Sequence, residues 1–290
     1  MQIATSPSMY AYTGGRAFDA KLPTLVFIHG AQHDHSVWIL QSRWFAHRGY
    51  SVLALDLPGH MRSAGPPLAT VEAMADAIAA AIAASGAQRT LLVGQSMGSL
   101  IALEVARRRA ASTVGVALIG TASPMKVSDA LLAATRDDPA AAMEMINVWS
   151  HGPQLAAFDR KPSNPGPGFS IYWQNQRLME RIEARNGKNV LAIDFAACNA
   201  YAAGVDAARA LACPALVIQG ESDSMTPLRA AQSLIDAFSD VKVVRLPRTG
   251  HAAMAENPEG VRRALAAFAQ RVFAQGEPAR AEPVRAVAQA

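Results

Sequence analysis

The chain has 290 residues, 51% of them hydrophobic, and a formal net charge of +4. That length suits one large domain or a domain carrying an insertion, and so small a positive charge is no footprint for DNA or RNA. No run approaches the ~18 consecutive apolar residues of a membrane-spanning helix, so no membrane span is expected. The start, Met1-Gln2-Ile3-Ala4-Thr5, lacks a basic segment followed by an apolar one, so no signal peptide is expected. Cys198 and Cys213 are too few for a disulfide framework; reduced thiols and a cytoplasmic location follow.

Taken along the chain, short apolar runs alternate with amphipathic ones. Thr24 to Ile28, Val52 to Leu55, Leu91 to Val93, Val114 to Ile119, Ala215 to Ile218 and Val241 to Val244 read as buried strands. Between them, Val71, Met74, Ile78 and Ile82 recur at helical spacing, with Thr70 placed as N-cap and Gly86 as C-cap. Thr226-Pro227 and Asn257-Pro258 read as N-cap plus first-turn proline pairs, each opening a helix. Strand–helix alternation with continuously apolar strands predicts an α/β fold: a mostly parallel sheet with helices on both faces.

The alternation stops near Met125 and resumes at Pro214. Residues 125–208 contain helical patterns, with a Pro/Gly loop from Lys161 to Gly168, and are expected to form an inserted helical cap. Residues 1–124 and 209–275 then form the core. In the insertion Met143, Ile146 and Trp149 share a helical face, and Trp173 follows Ile171-Tyr172. Residues 276–290 are rich in Ala, Pro, Glu and Arg without periodicity and are expected to form a mobile tail.

Chemistry concentrates at Gly94-Gln95-Ser96-Met97-Gly98, directly after a strand and before the helical run Leu100, Ile101, Leu103, Val105. A serine on such a turn is lifted clear of the sheet, and the N–H of Met97 faces the same point. A side chain at position 94 or 98 would collide with a neighbouring strand or helix. The serine needs a base: His251 follows the last strand in Thr249-Gly250-His251. The base needs an orienting acid: Asp223 follows the strand ending at Ile218, with Glu221 as its rival. All three sit at C-terminal ends of parallel strands, where open α/β sheets carry their sites.

His29-Gly30, Asp56-Leu57-Pro58-Gly59-His60, the serine turn, Gly220-x-x-Asp223 and Gly250-His251 occur in the order found in α/β-hydrolases. The chain resembles a serine-nucleophile, esterase-like member of that superfamily with a helical cap, over about residues 20–275. Gln95 stands where histidine is frequent, and Met61 where glycine is usual. The resemblance favours Asp223 over Glu221. It implies catalytic Ser96, Asp223 and His251, and an oxyanion hole formed by the N–H groups of Ala31 and Met97. Such donors each lower a barrier by roughly 3 kcal/mol. His29 and His60 fall in structural landmarks and are expected to brace loops.

The expected substrate is a small or medium apolar acyl or aryl ester, cleaved through an acyl-enzyme. Gln32, Gln95, Trp149 and Trp173 are expected to line its pocket. A basic residue for a substrate carboxylate is available among Lys126, Arg160, Lys161, Arg177 and Arg181. Carbon–carbon bond hydrolysis of a ring-cleavage product and acyl transfer are alternatives, although the Gly-rich loop typical of the former is absent. A non-catalytic small-molecule binder is a further one. His29, His33, Asp34 and His35 lack a downstream ligand set, so no metal is expected. No dinucleotide or phosphate-binding glycine motif occurs, so no cofactor is expected.

Overall fold

The computed structural model describes residues 1–152, 167–186 and 189–274. The expected tail at 276–290, and Arg160 and Lys161, lie outside the described residues. The strands are β1 (Gln2–Ile3), β2 (Met9–Tyr12), β3 (Thr24–Ile28), β4 (Ser51–Leu55), β5 (Thr90–Gln95), β6 (Thr113–Ile119), β7 (Ala215–Gly220) and β8 (Val241–Leu246). They form one sheet in the order β1-β2-β4-β3-β5-β6-β7-β8. β3 through β8 are parallel, and β1 and β2 add an antiparallel edge beside β4.

Side-chain alternation divides each apolar strand between two layers. Val26 and Ile28 of β3 enter one layer with Leu53, Leu92, Val116 and helices α2 (Val71–Ser85) and α3 (Met97–Arg108). Leu25 and Phe27 enter the other with Val52, Leu91, Ala117 and helix α1 (Ile39–Ala46). Burial on both faces is why these strands read as unbroken apolar runs. Helix α2 begins and ends where its caps dictate. The Thr70 side chain accepts from the Ala73 amide, and Gly86 closes the helix at φ 76°.

Between β6 and β7 the described residues contain helices and no strand: α4 (Asp129–Asp137), α5 (Pro139–Ser150), α6 (Pro167–Asn186), α7 (Val190–Ala200) and α8 (Gly204–Arg209). Pro167 and Gly168, expected in the loop, open α6 instead. The insertion has its own apolar cluster of Leu131, Met143, Ile146, Met179, Leu191 and Phe195. Ala31 and Met225 of the sheet's loops pack against that cluster.

The last elements are α9 (Leu228–Ala237), the short α10 (Ala253–Glu256) and α11 (Pro258–Ala274). Asn257 caps α11 by accepting from the Gly260 amide at 2.9 Å. Thr226 does not cap α9; the cap position belongs to Pro227, without a side-chain bond. The Thr226 hydroxyl is engaged elsewhere.

Parallel register aligns the C-terminal strand ends. Ile28 is level with Gly94, Gln95 with Ile119, and Gly220 with Leu246. The segments that follow, carrying residues 29–31, 96, 120, 223 and 251, therefore emerge along one edge.

Candidate active site

Ser96 sits between β5 and α3 at φ 52° and ψ −123°. A non-glycine residue held there stores on the order of 1–3 kcal/mol of strain, which the surroundings must impose. The Ser96 amide donates to the Ile119 carbonyl at 2.9 Å. The two glycines of the turn are sterically required. A Cβ on Gly94 would lie 2.0 Å from the Gly98 carbonyl oxygen, and one on Gly98 would lie 2.3 Å from that of Ile28. A Cβ on Gly30 would fall 2.4 Å from Gln95 Oε1 and 3.2 Å from Ser96 Cβ. Three backbone segments thus converge on the serine because none carries a side chain at the crossing.

His251 Nδ1–H donates to Asp223 Oδ2 at 2.9 Å, and both side chains are almost wholly buried. Asp223 Oδ1 accepts the Met225 and Thr226 amides at 2.9 and 2.8 Å. The Thr226 hydroxyl donates to Oδ2 at 2.9 Å and lies 3.1 Å from His251 Nδ1. Burial alone would raise the Asp223 carboxyl. The adjacent His251 and the hydrogen bonds from His251 and Thr226 outweigh that and hold it below its ordinary 3.8. An ionised Asp223 assigns the imidazole proton to Nδ1 and leaves Nε2 as the acceptor. Gly120, at φ +57°, makes room for the pair: a Cβ there would lie 2.9 Å from His251 Nδ1.

Ser96 and His251 line one cavity of about 220 Å³. Ala31 and Gln95 share its floor, and Leu131, Trp149, Phe195 and Met225 its apolar walls. Gln95 donates to the His251 carbonyl at 3.4 Å. Met97 is the first residue of α3, so its amide is among those without an intrahelical acceptor.

Two expected pocket residues lie elsewhere. Gln32 is fully buried, its amide nitrogen directed at Met179 O and Glu183 Oε2 of α6, 3.4 and 3.3 Å away. Trp173 is 47% exposed, with Arg177 stacked 4.3 Å above its ring, and does not line the cavity. Of the basic candidates, Lys126 lines the cavity, whereas Arg177 and Arg181 line a second cavity of about 410 Å³.

The histidines of the landmarks brace loops. His29 Nδ1–H donates to Gly30 O at 2.8 Å and its Nε2 accepts the Leu57 amide at 3.1 Å. Burial, reinforced by His60, pushes His29 well below its ordinary value. His60 pairs with Asp194 of α7 at 2.9 Å with both side chains at 0% exposure. Asp34, His35 and Asp56 bring ligand-type atoms within 4.8 Å of one another. Those atoms bond within the protein: Asp56 Oδ1 accepts from His35 N and Nδ1, and Asp34 Oδ1 accepts from Ser36.

Thr226, Gly120, Phe195, Met225 and Asp194 carry no site role in the sequence analysis. Two of them left a signal. An acid followed three residues later by threonine is a local capping pattern, here Asp223 and Thr226. Asp194 is a lone charge in Leu191-Ala192-Ile193-Asp194-Phe195.

A model of the alpha/beta hydrolase family matches residues 25–264. The chain belongs to that family. Among relatives of this alpha/beta hydrolase is the pimeloyl-[acyl-carrier protein] methyl ester esterase of Aromatoleum aromaticum, 29% identical over 82% of this chain and 94% of that one. The putative carbamate hydrolase RutD of Klebsiella pneumoniae is 25% identical over 79% and 85% of the two chains. The enol-lactonase of Burkholderia xenovorans superposes with a TM-score of 0.78 at 19% identity, covering 93% of this chain and 100% of that one, and so shares the fold. Among the described residues, no helix of this alpha/beta hydrolase is long and apolar enough to cross a membrane.

Proposed function

We propose that the protein hydrolyses a small, largely apolar carboxylic ester through an acyl-enzyme on Ser96. The observation that carries this reading is the 2.9 Å bond from His251 to Asp223 beside a strained serine in the same cavity. His251 Nε2 takes the Ser96 proton as Oγ attacks the ester carbonyl. Asp223 holds the imidazole and stabilises its charged form. The negative charge formed on the carbonyl oxygen is met by the amides of Ala31 and Met97. The tetrahedral adduct expels the alcohol, which leaves with the proton from His251. Water, deprotonated by the same imidazole, then releases the acid and restores Ser96.

The apolar walls and modest volume support a compact acyl or aryl group. Residues 125–208 serve as a cap over residues 1–124 and 209–275, with Leu131, Trp149 and Phe195 among the residues it contributes to the wall. The relatives' ester and carbamate substrates fit the same chemistry, attack on a carbonyl carbon followed by heteroatom departure. The test is a panel of short-chain esters, thioesters and ring-cleavage products, assayed with wild type and Ser96→Ala. Ester turnover lost by roughly three or more orders of magnitude in Ser96→Ala supports the reading. Turnover of carbon–carbon substrates alone, or unchanged turnover in the variant, rejects it.

A further inference from the structure

Resting on that reading, we infer that Asp194 is a positioning residue for the reaction: from the cap it fixes the loop that carries the Ala31 amide. Asp194 Oδ2 accepts the Gln32 amide at 2.8 Å and His60 Nε2–H at 2.9 Å. Gln32 directly follows Ala31 and is held at φ +52°, a conformation that a non-glycine residue does not keep unaided. Its side chain is gripped by the same insertion, through Glu183 and Met179 of α6. The other side of the loop is tied to the core, by His29 bonded to Gly30 and to the Leu57 amide. Ala31 thus lies between one anchor on the core and one on the cap.

Packing does not require a carboxylate at position 194. Asp194 has no exposed surface, and its Oδ1 has no hydrogen-bond partner among the described residues. An apolar residue in that helical run would avoid burying a charge. What the carboxylate adds is two directed bonds into loops 29–34 and 56–60, across 162 and 134 residues of sequence. Burial pushes His60 down, but Asp194, helped by the Pro58 carbonyl and Asp56, overrides this and raises it. An oxyanion donor acts only if it is aimed before the charge develops. Loosening the Gln32 amide therefore weakens stabilisation of the transition state more than binding of the ester. The cap, in this arrangement, completes the catalytic loop as well as covering it.

The experiment compares kcat and KM for a short-chain p-nitrophenyl ester in wild type, Asp194→Ala, Asp194→Asn and Arg185→Ala, with melting curves for each. Arg185 is the control, because its Nε–H ties the cap to Met61 O at 3.0 Å without touching the 29–34 loop. Asp194→Ala is expected to lower kcat by about tenfold to a hundredfold with KM within about threefold. Asp194→Asn retains the shape and one acceptor, so kcat falls by a smaller factor, about threefold to tenfold. Arg185→Ala stays within about twofold of wild type. A folded Asp194→Ala or Asp194→Asn protein with kcat within twofold of wild type overturns the inference. So does a loss confined to KM, or one matched by Arg185→Ala. If Asp194→Ala does not fold, the near-isosteric Asp194→Asn decides. Failure of the hydrolase reading is distinct: it shows as absent turnover in wild type or as turnover surviving Ser96→Ala.

Discussion

Thr226 holds Asp223 twice, its amide 2.8 Å from Oδ1 and its hydroxyl 2.9 Å from Oδ2. The hydroxyl spends its only proton on the carboxylate, so it turns a lone pair toward the His251 Nδ1–H, 3.1 Å away. That places the carboxylate and the imidazole on one three-residue scaffold. Thr226→Val keeps the shape and deletes the hydroxyl. A hydrogen bond to a buried charged group is worth about 1.5–3 kcal/mol, so the melting temperature falls. kcat is expected to drop about threefold to tenfold with KM little changed. Steady-state kinetics beside a thermal melt check this; wild-type values in both would remove Thr226 from the account.

Gly120 is predicted to be irreplaceable for turnover. An alanine there meets two penalties: φ +57°, and a Cβ 2.9 Å from His251 Nδ1 and 3.0 Å from Cε1. The left-handed backbone costs roughly 1–2 kcal/mol, which a domain of this size survives. The displaced imidazole matters more, since a misplacement of ~1 Å can cost about a hundredfold in rate. A folded Gly120→Ala protein that turns over ester as fast as wild type contradicts the arrangement.

Acid should destabilise the protein through His33. Burial pushes this imidazole down to about 4, against the opposing pull of Asn175 and Asp34. The unfolded chain takes up the proton near 6.5 and the folded one only near 4. Its stabilising contribution is therefore fully present above pH 6.5 and is lost as pH falls toward 4. His33→Asn is expected to flatten the melting temperature across that window, while buried His29, lowered for the same reason, leaves a residual slope. Parallel curves for the two proteins would count against this.

The elements that were legible in the sequence are those whose signal is local. Strands buried on both faces read as apolar runs, Thr70 and Gly86 mark α2, and the Gly94–Gly98 spacing states its own steric reason. β1 and β2 were not legible: two and four residues at an antiparallel edge leave too short a pattern. Thr-Pro before a helix looks like a cap at Thr226, whereas its hydroxyl serves a pair 3 and 25 residues away. Gln32 and Trp173 lie away from the cavity they are expected to line for a different reason. Neither helical periodicity within the insertion nor the loop sequence around Gln32 tells how the insertion is seated, and the seating depends on contacts such as Asp194 with His60, 134 residues apart.

Ser96 is the residue that the fold activates. That activation is read out by the intact mass of the folded protein after exposure to a fluorophosphonate, with the modified peptide sequenced. One adduct, on Ser96, that disappears when the protein is unfolded by heat beforehand is the predicted result. A folded protein that takes no adduct, or takes it on another serine equally before and after unfolding, contradicts the account.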